Sequence, residues 1–206
     1  MTYMPGQVRS IFPYIQRLIG TPNEIKLFLL GGPADGDEAQ LFHEEFPNVY
    51  IMGFEPNRDF LRYQEANRFP DDLTSYALGD RCGIRDFFVM GEEGRSSRLV
   101  SDGRPSYQVQ VVTIDYVLQD MANRPVALWI DIERAELEAL HGAKESLARG
   151  QIKVIYLEAF AENYQSITEF LMPYGFHEVA CANVHQTANA DGTIQVHRFD
   201  AILVKE

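Results

Sequence analysis

Positive charge is in short supply in this sequence. Eighteen lysines and arginines stand against 30 aspartates and glutamates, for a formal net charge of −12. A nucleic-acid surface needs a basic footprint that displaces counterions from phosphates, and an anionic membrane asks for the same, so neither partner is expected. Long apolar runs are missing too: none approaches the roughly 18 to 20 residues that span a bilayer. The opening MTYMPGQVRS lacks the basic and apolar regions of a secretory leader. Cysteine is scarce. Cys82 and Cys181 lie far apart and in no CxxC spacing, which suits free thiols in a reducing compartment. Repeats, low-complexity tracts and linkers are also lacking. Together these absences predict a cytoplasmic protein of one well-buried domain, which 206 residues are enough to build.

What is present begins at Ile25. An apolar run to Leu30 meets a turn rich in glycine and acid (Gly31, Gly32, Asp35, Gly36, Asp37), then a predicted helix, then a second apolar run from Val49 to Phe54 that stops on Glu55. Strand, glycine turn, helix, strand and acid form the layout of a nucleotide-handling βαβ unit. The glycines permit positive φ and close backbone approach, and the helix from Asp37 points free N–H groups into the same crevice. A carboxylate at the tip of the second strand can accept both hydroxyls of a ribose. Two acids in the turn repel a pyrophosphate but suit a sulfonium and an ammonium, which favours S-adenosylmethionine over a dinucleotide.

Along the rest of the chain, strands alternate with helices, predicting a doubly wound α/β sheet. Val8 to Ile19 has helical spacing with a break at Pro13. Leu73–Leu78, Val126–Ile130, Ile152–Leu157, Val179–Ala182 and Phe199–Val204 read as strands, the last two flanking a polar loop from Asn183 to Val196. Ala135 to Arg149 reads as one helix, and Thr113 as the cap of another. Between Arg85 and Val112 the pattern suggests a β-hairpin or a substrate loop, with Ser96, Ser97 and Tyr107 where acceptor selectivity would reside.

Five motifs fall in order: GFEPN (Gly53–Asn57), ALGD (Ala77–Asp80), VVTID (Val111–Asp115), WIDIERAELEALHGA (Trp129–Ala143) and LEAF (Leu157–Phe160). As a set they closely resemble the FkbM family of S-adenosylmethionine-dependent methyltransferases, over about Ile25 to Val204. The resemblance implies a class I methyltransferase fold, a Rossmann-like seven-stranded sheet whose last strand runs antiparallel. It also implies an S-adenosylmethionine site and methyl transfer to a hydroxyl of a small molecule or sugar. Residues 1–22 would be a helical cover and 23–206 the methyltransferase domain. Glu55 would hold the ribose, Asp80 would lie near the adenine, and Gly31, Gly32, Gly36 and Asp37 would surround the methionine part. The chain departs from the family in carrying Leu30 where an acid is usual, and Trp129 and Arg134 at a lysine and a glycine position.

The carboxyl ends of parallel strands are where ligands lie in open α/β sheets. Asp131 and Glu158, at two such ends, are candidates for orienting an acceptor hydroxyl or taking its proton, and Asp131 also for touching the cofactor. His185 is a third candidate base, because histidine titrates near neutral pH. Glu133 could cap the following helix, and Glu136 reads as structural. Asp131, Glu133 and Glu136 are close enough to suggest a divalent cation, but no histidine or asparagine set completes one, and no metal is expected. The rival reading is a catalytically degenerate binding protein on the same fold.

Overall fold

The computed structural model describes residues 6–67, 69–89, 99, 107–121, 124–189 and 193–205. Most of the expected selectivity loop, Ser96 and Ser97 included, lies outside them. In chain order come α1 (Gly6–Arg9), α2 (Phe12–Gln16), β1 (Leu27–Gly31), α3 (Asp37–Glu45), β2 (Tyr50–Phe54), α4 (Arg58–Asn67), β3 (Asp72–Thr74), β4 (Ala77–Leu78), β5 (Gly83–Phe87) and β6 (Tyr107–Val112). There follow α5 (Ile114–Leu118), β7 (Val126–Ile130), α6 (Glu136–His141), α7 (Lys144–Ala148), β8 (Ile152–Phe160), α8 (Ala161–Leu171), β9 (Phe176–Ala188) and β10 (Ile194–Lys205). No described helix is long and apolar enough to cross a membrane.

Seven strands form one sheet in the order β3-β2-β1-β7-β8-β10-β9. β1 pairs in parallel with β2 and β7, and β7 with β8, whereas β10 runs antiparallel to both β8 and β9. This is the mixed class I methyltransferase sheet that the family resemblance implies. β1 and β7 are buried at every position, as parallel strands covered on both faces must be. Alternation along the strands divides the core. Leu27, Leu29, Leu128 and Ile130 pack with Ile114, Leu140, Leu147 and Ile167 of α5 to α8. Phe28, Leu30, Trp129 and Tyr156 face the other way, against Val8, Ile11, Ile15 and Phe42 of α1 to α3. On that second face Phe28 stacks on Phe42 at 3.8 Å and Trp129 on Tyr156 at 3.5 Å between ring centroids.

Three predicted elements need correction. Leu73–Leu78 is not one strand: β3 ends the large sheet, and β4 belongs to a separate three-stranded sheet ordered β4-β6-β5. The helix expected over Ala135–Arg149 is interrupted at Gly142, where the backbone meets a neighbour; a Cβ there would stand 2.2 Å from the Gly79 carbonyl oxygen. The polar stretch from Asn183 to Val196 is largely strand, because β9 and β10 pair as far out as Ala188 and Ile194. The break expected at Pro13 is present, with Pro13 in the first turn of α2.

Candidate active site

The glycine turn leaves β1 with no room for side chains. The Asp131 N–H donates to the Gly31 carbonyl at 3.1 Å and the Gly32 N–H to the Phe54 carbonyl at 3.0 Å, tying the turn to two neighbouring strand tips. Gly32 has φ +75°, and a Cβ there would sit 2.0 Å from the Asp131 carbonyl oxygen. Over this turn opens a cavity whose walls include Gly32, Glu55, Asn57, Leu78, Phe87 and Asp131.

Glu55 is buried in that wall. Its Oε2 accepts the Ala34 N–H at 2.9 Å and its Oε1 the Asn57 N–H at 2.7 Å. Burial raises its carboxyl to about 7, against the lowering effect of those two bonds. Each carboxylate oxygen has a second lone pair, so Glu55 can still accept from a ligand while it clamps the turn. The loop after it is held from outside. Tyr107 donates its hydroxyl to the Pro56 carbonyl and accepts the Arg58 N–H, both at 3.1 Å, while the Arg58 guanidinium lies 4.2 Å over its ring.

Other cofactor candidates are more scattered. Gly31 is buried at the foot of the turn. Gly36, at φ +83°, packs against Gln64, which also donates to the Ala34 carbonyl. Gly36 and Asp37 line a shallow depression with Tyr63 and Gln64, outside the main cavity. Asp80 is exposed two residues beyond Leu78, itself a wall residue.

Asp131 follows the last residue of β7 and Glu158 lies two residues before the end of β8, which runs on past the Leu157 end expected from the sequence; both are on the sheet face that carries Trp129 and Tyr156. One oxygen from each of Asp131, Glu133 and Glu158 lies within 4.8 Å of the others. They are close enough to share a proton or one divalent cation, and no histidine or cysteine among the described residues joins them. Burial holds the Asp131 carboxyl well above the usual carboxylate range, and the Glu158 and Glu133 charges push it further. Burial likewise raises Glu158 to about 8, although Arg198 opposes the shift. Arg198 Nη1 donates to Glu158 Oε1 at 2.9 Å, and Glu158 Oε2 is buried with no partner among the described residues.

The intervening turn is built unusually. Glu133 and Arg134 both adopt positive φ, +54° and +79°. Glu136, fully buried, closes the turn by accepting the Ile132 and Arg134 N–H groups at 3.3 and 3.0 Å. Burial raises its carboxyl to about 7.

His185 does not join this group. It is exposed on β9, with Nε2 3.3 Å from Arg198 Nη2, and reaches Glu158 only through that arginine. Sequence reasoning also missed Arg198, Asn57, Phe60 and Phe87. The first is one of several charged or polar residues in an unpatterned stretch, and the others reach the cavity through loop and small-sheet geometry. Asn57 alone carried a signal, as the end of GFEPN.

Residues 32–179 match the model of the Methyltransferase FkbM domain. No curated protein matches the chain. Solved structures that the chain matches include precorrin-6y C5,15-methyltransferase from Geobacter metallireducens GS-15, at 15% identity over 96% of this chain and 87% of that one, with a TM-score of 0.49. A SAM-dependent methyltransferase from Agrobacterium tumefaciens gives 9% identity over 99% and 63%, TM-score 0.48. A putative methyltransferase from Thermoplasma acidophilum gives 10% over 88% and 68%, TM-score 0.44. Likeness this distant says nothing about this chain's acceptor.

Proposed function

The chain belongs to the FkbM family of S-adenosylmethionine-dependent methyltransferases, and from that premise we propose that it methylates a hydroxyl of a small metabolite or saccharide. The observation that carries this reading is the trio of carboxylates, Asp131, Glu133 and Glu158, gathered beside a cavity walled by Gly32 and Glu55. Carboxyls gathered there disfavour phosphates, and an arriving sulfonium or ammonium restores the charge that burial and crowding suppress.

The residues present fit the cofactor. Gly32 packs against the Asp131 carbonyl where any side chain would clash, so the turn presents bare backbone to the cavity. Glu55 offers its remaining lone pairs to a ribose diol, and Phe60, Leu78 and Phe87 give a flat base apolar walls. Asp131, one strand over from Leu30 and on the same face, takes the ammonium that an acid at position 30 would otherwise meet. When bound, the cofactor supplies an already activated methyl group. The protein then has to align an acceptor oxygen and exclude water, and alignment alone can supply on the order of 7 to 11 kcal/mol at best. Glu158, ion-paired with Arg198 and raised to about 8, is placed to take the hydroxyl proton in its deprotonated form, which dominates above that value.

Calorimetry with S-adenosylmethionine, S-adenosylhomocysteine and NADH tests the site. The first two should bind and the third should not. Release of S-adenosylhomocysteine during incubation with hydroxylated metabolites and sugars then tests transfer. Folded protein that binds neither adenosyl compound would instead indicate a degenerate member of the fold.

A further inference from the structure

Beyond Glu158, on the far side of Arg198, lies a second and larger recess, open to solvent. Arg134 and Phe160 form one wall, and His185, His197 and Arg198 of the β9–β10 hairpin form the other. In a chain with twelve excess negative charges, this concentration of cationic and N–H-donating side chains is exceptional. Glu162 is the acid among the lining residues, paired with Arg134, and Glu158 stands behind Arg198.

We propose that this recess binds an oxyanion, a carboxylate or phosphate carried by the acceptor, so that the acceptor is an anionic hydroxyl compound. The inference rests on the methyl-transfer reading above and narrows its substrate class. Each guanidinium has five N–H donors. Among the described residues Arg198 directs one nitrogen to Glu158 and another to His185, and Arg134 directs one to Glu162. Donors therefore remain on both arginines, in the fork geometry that suits carboxylate and phosphate oxygens. The Arg134 guanidinium is braced 4.3 Å over the Phe160 ring, which fixes its plane without using its N–H groups. Ala161, the first residue of the eleven-residue α8, lies in the same wall, and its helix end favours an anion.

Polarity then orients the acceptor. The Glu158–Arg198 ion pair joins the carboxylates to the cations. A molecule with an oxyanion at one end and a hydroxyl at the other is drawn in with the anion on Arg134 and Arg198. Its hydroxyl then faces Glu158, next to the cavity holding the methyl donor.

The test is an amide-shift NMR titration of the intact protein with inorganic phosphate, with acetate, and with sodium chloride at matched ionic strength. Saturable shifts should gather at Arg134, Ala161, His185, His197 and Arg198 with an oxyanion and not with chloride, and the tighter of the two oxyanions identifies the source. Arg134→Gln should weaken that binding about tenfold, as expected for loss of one charge-assisted contact. It should leave the S-adenosylhomocysteine titration, read at Gly32 and Ala34, unchanged. If Arg134→Gln loses that second response, His197→Gln on the exposed hairpin takes its place with the same expected loss. Oxyanion shifts no different from chloride, or equal affinity in the folded variant, would overturn the proposal. Absence of S-adenosylhomocysteine binding in the wild type would instead overturn the methyl-transfer reading and leave the oxyanion result standing.

Discussion

Two sets of carboxylates meet at the carboxyl edge of the sheet, and their partners differ. Glu55, after β2, spends both oxygens on backbone N–H groups of adjoining turns. Asp131, Glu133 and Glu158, after β7 and on β8, crowd one another and leave Glu158 Oε2 buried with no partner among the described residues. The first arrangement is already satisfied and works as a clamp that a ligand extends. The second is frustrated and is relieved only by a proton or by positive charge. A buried acid's neighbours thus distinguish a group that shapes a site from one that waits for its ligand.

The broadest consequence is in the pH dependence of stability. Glu55 and Glu136 are raised to about 7 and Glu158 to about 8. Between the unfolded carboxyl value and these values the folded chain holds protons that the unfolded chain has lost, so stability falls as pH rises. The ligand-free protein should be most stable near pH ~5 and lose several kcal/mol by pH ~8.5. Saturating S-adenosylmethionine should flatten that slope by compensating the trio. Urea midpoints across the range, with and without ligand, measure both, and a stability that rises with pH would erase the distinction between the two sets.

Leu30→Asp moves an acid back to β1, onto the apolar face shared with Trp129 and Tyr156. An unpaired charge there should cost about 3 kcal/mol or more of folding stability, seen as a lower urea midpoint. A stable variant would mean that β1 retains room for the acid. Glu55→Ala comes next. Loss of the clamp leaves two backbone N–H groups without their acceptor and should weaken binding of both adenosyl compounds about 30- to 100-fold. Asp131→Asn should act smaller and on both compounds alike, weakening S-adenosylmethionine and S-adenosylhomocysteine about tenfold, because both carry the ammonium. A loss confined to S-adenosylmethionine would show that Asp131 senses the sulfonium instead.

How legible all this was depends on the kind of residue. β1, β2 and β7 announced themselves because their runs are continuously apolar, and the acids that follow β2 and β7, Glu55 and Asp131, are visible for the same reason. β9 and β10 showed only their inner parts, Val179–Ala182 and Phe199–Val204, since their outer halves extend past the packed core and carry no alternating apolar pattern; His185, Gln186 and Thr187 look like loop residues and pair as strand. Arg198 was hidden with them. The break at Gly142 was invisible for another reason: periodicity reports which face is buried, not that the Gly79 carbonyl approaches the backbone there. Among candidate site residues, Gly32, Glu55 and Asp131 line one cavity, whereas Asp37 and His185 face elsewhere.

The left-handed pair at Glu133 and Arg134 has a consequence for anyone engineering this protein. Left-handed backbone is costly for residues that carry a Cβ, and glycine at position 134 would relieve it, a gain of about 1 kcal/mol. The same exchange deletes a guanidinium that lines the outer chamber. Selection for heat tolerance alone would therefore favour the glycine and blunt whatever discrimination the arginine confers. At that single codon, robustness and selectivity pull in opposite directions.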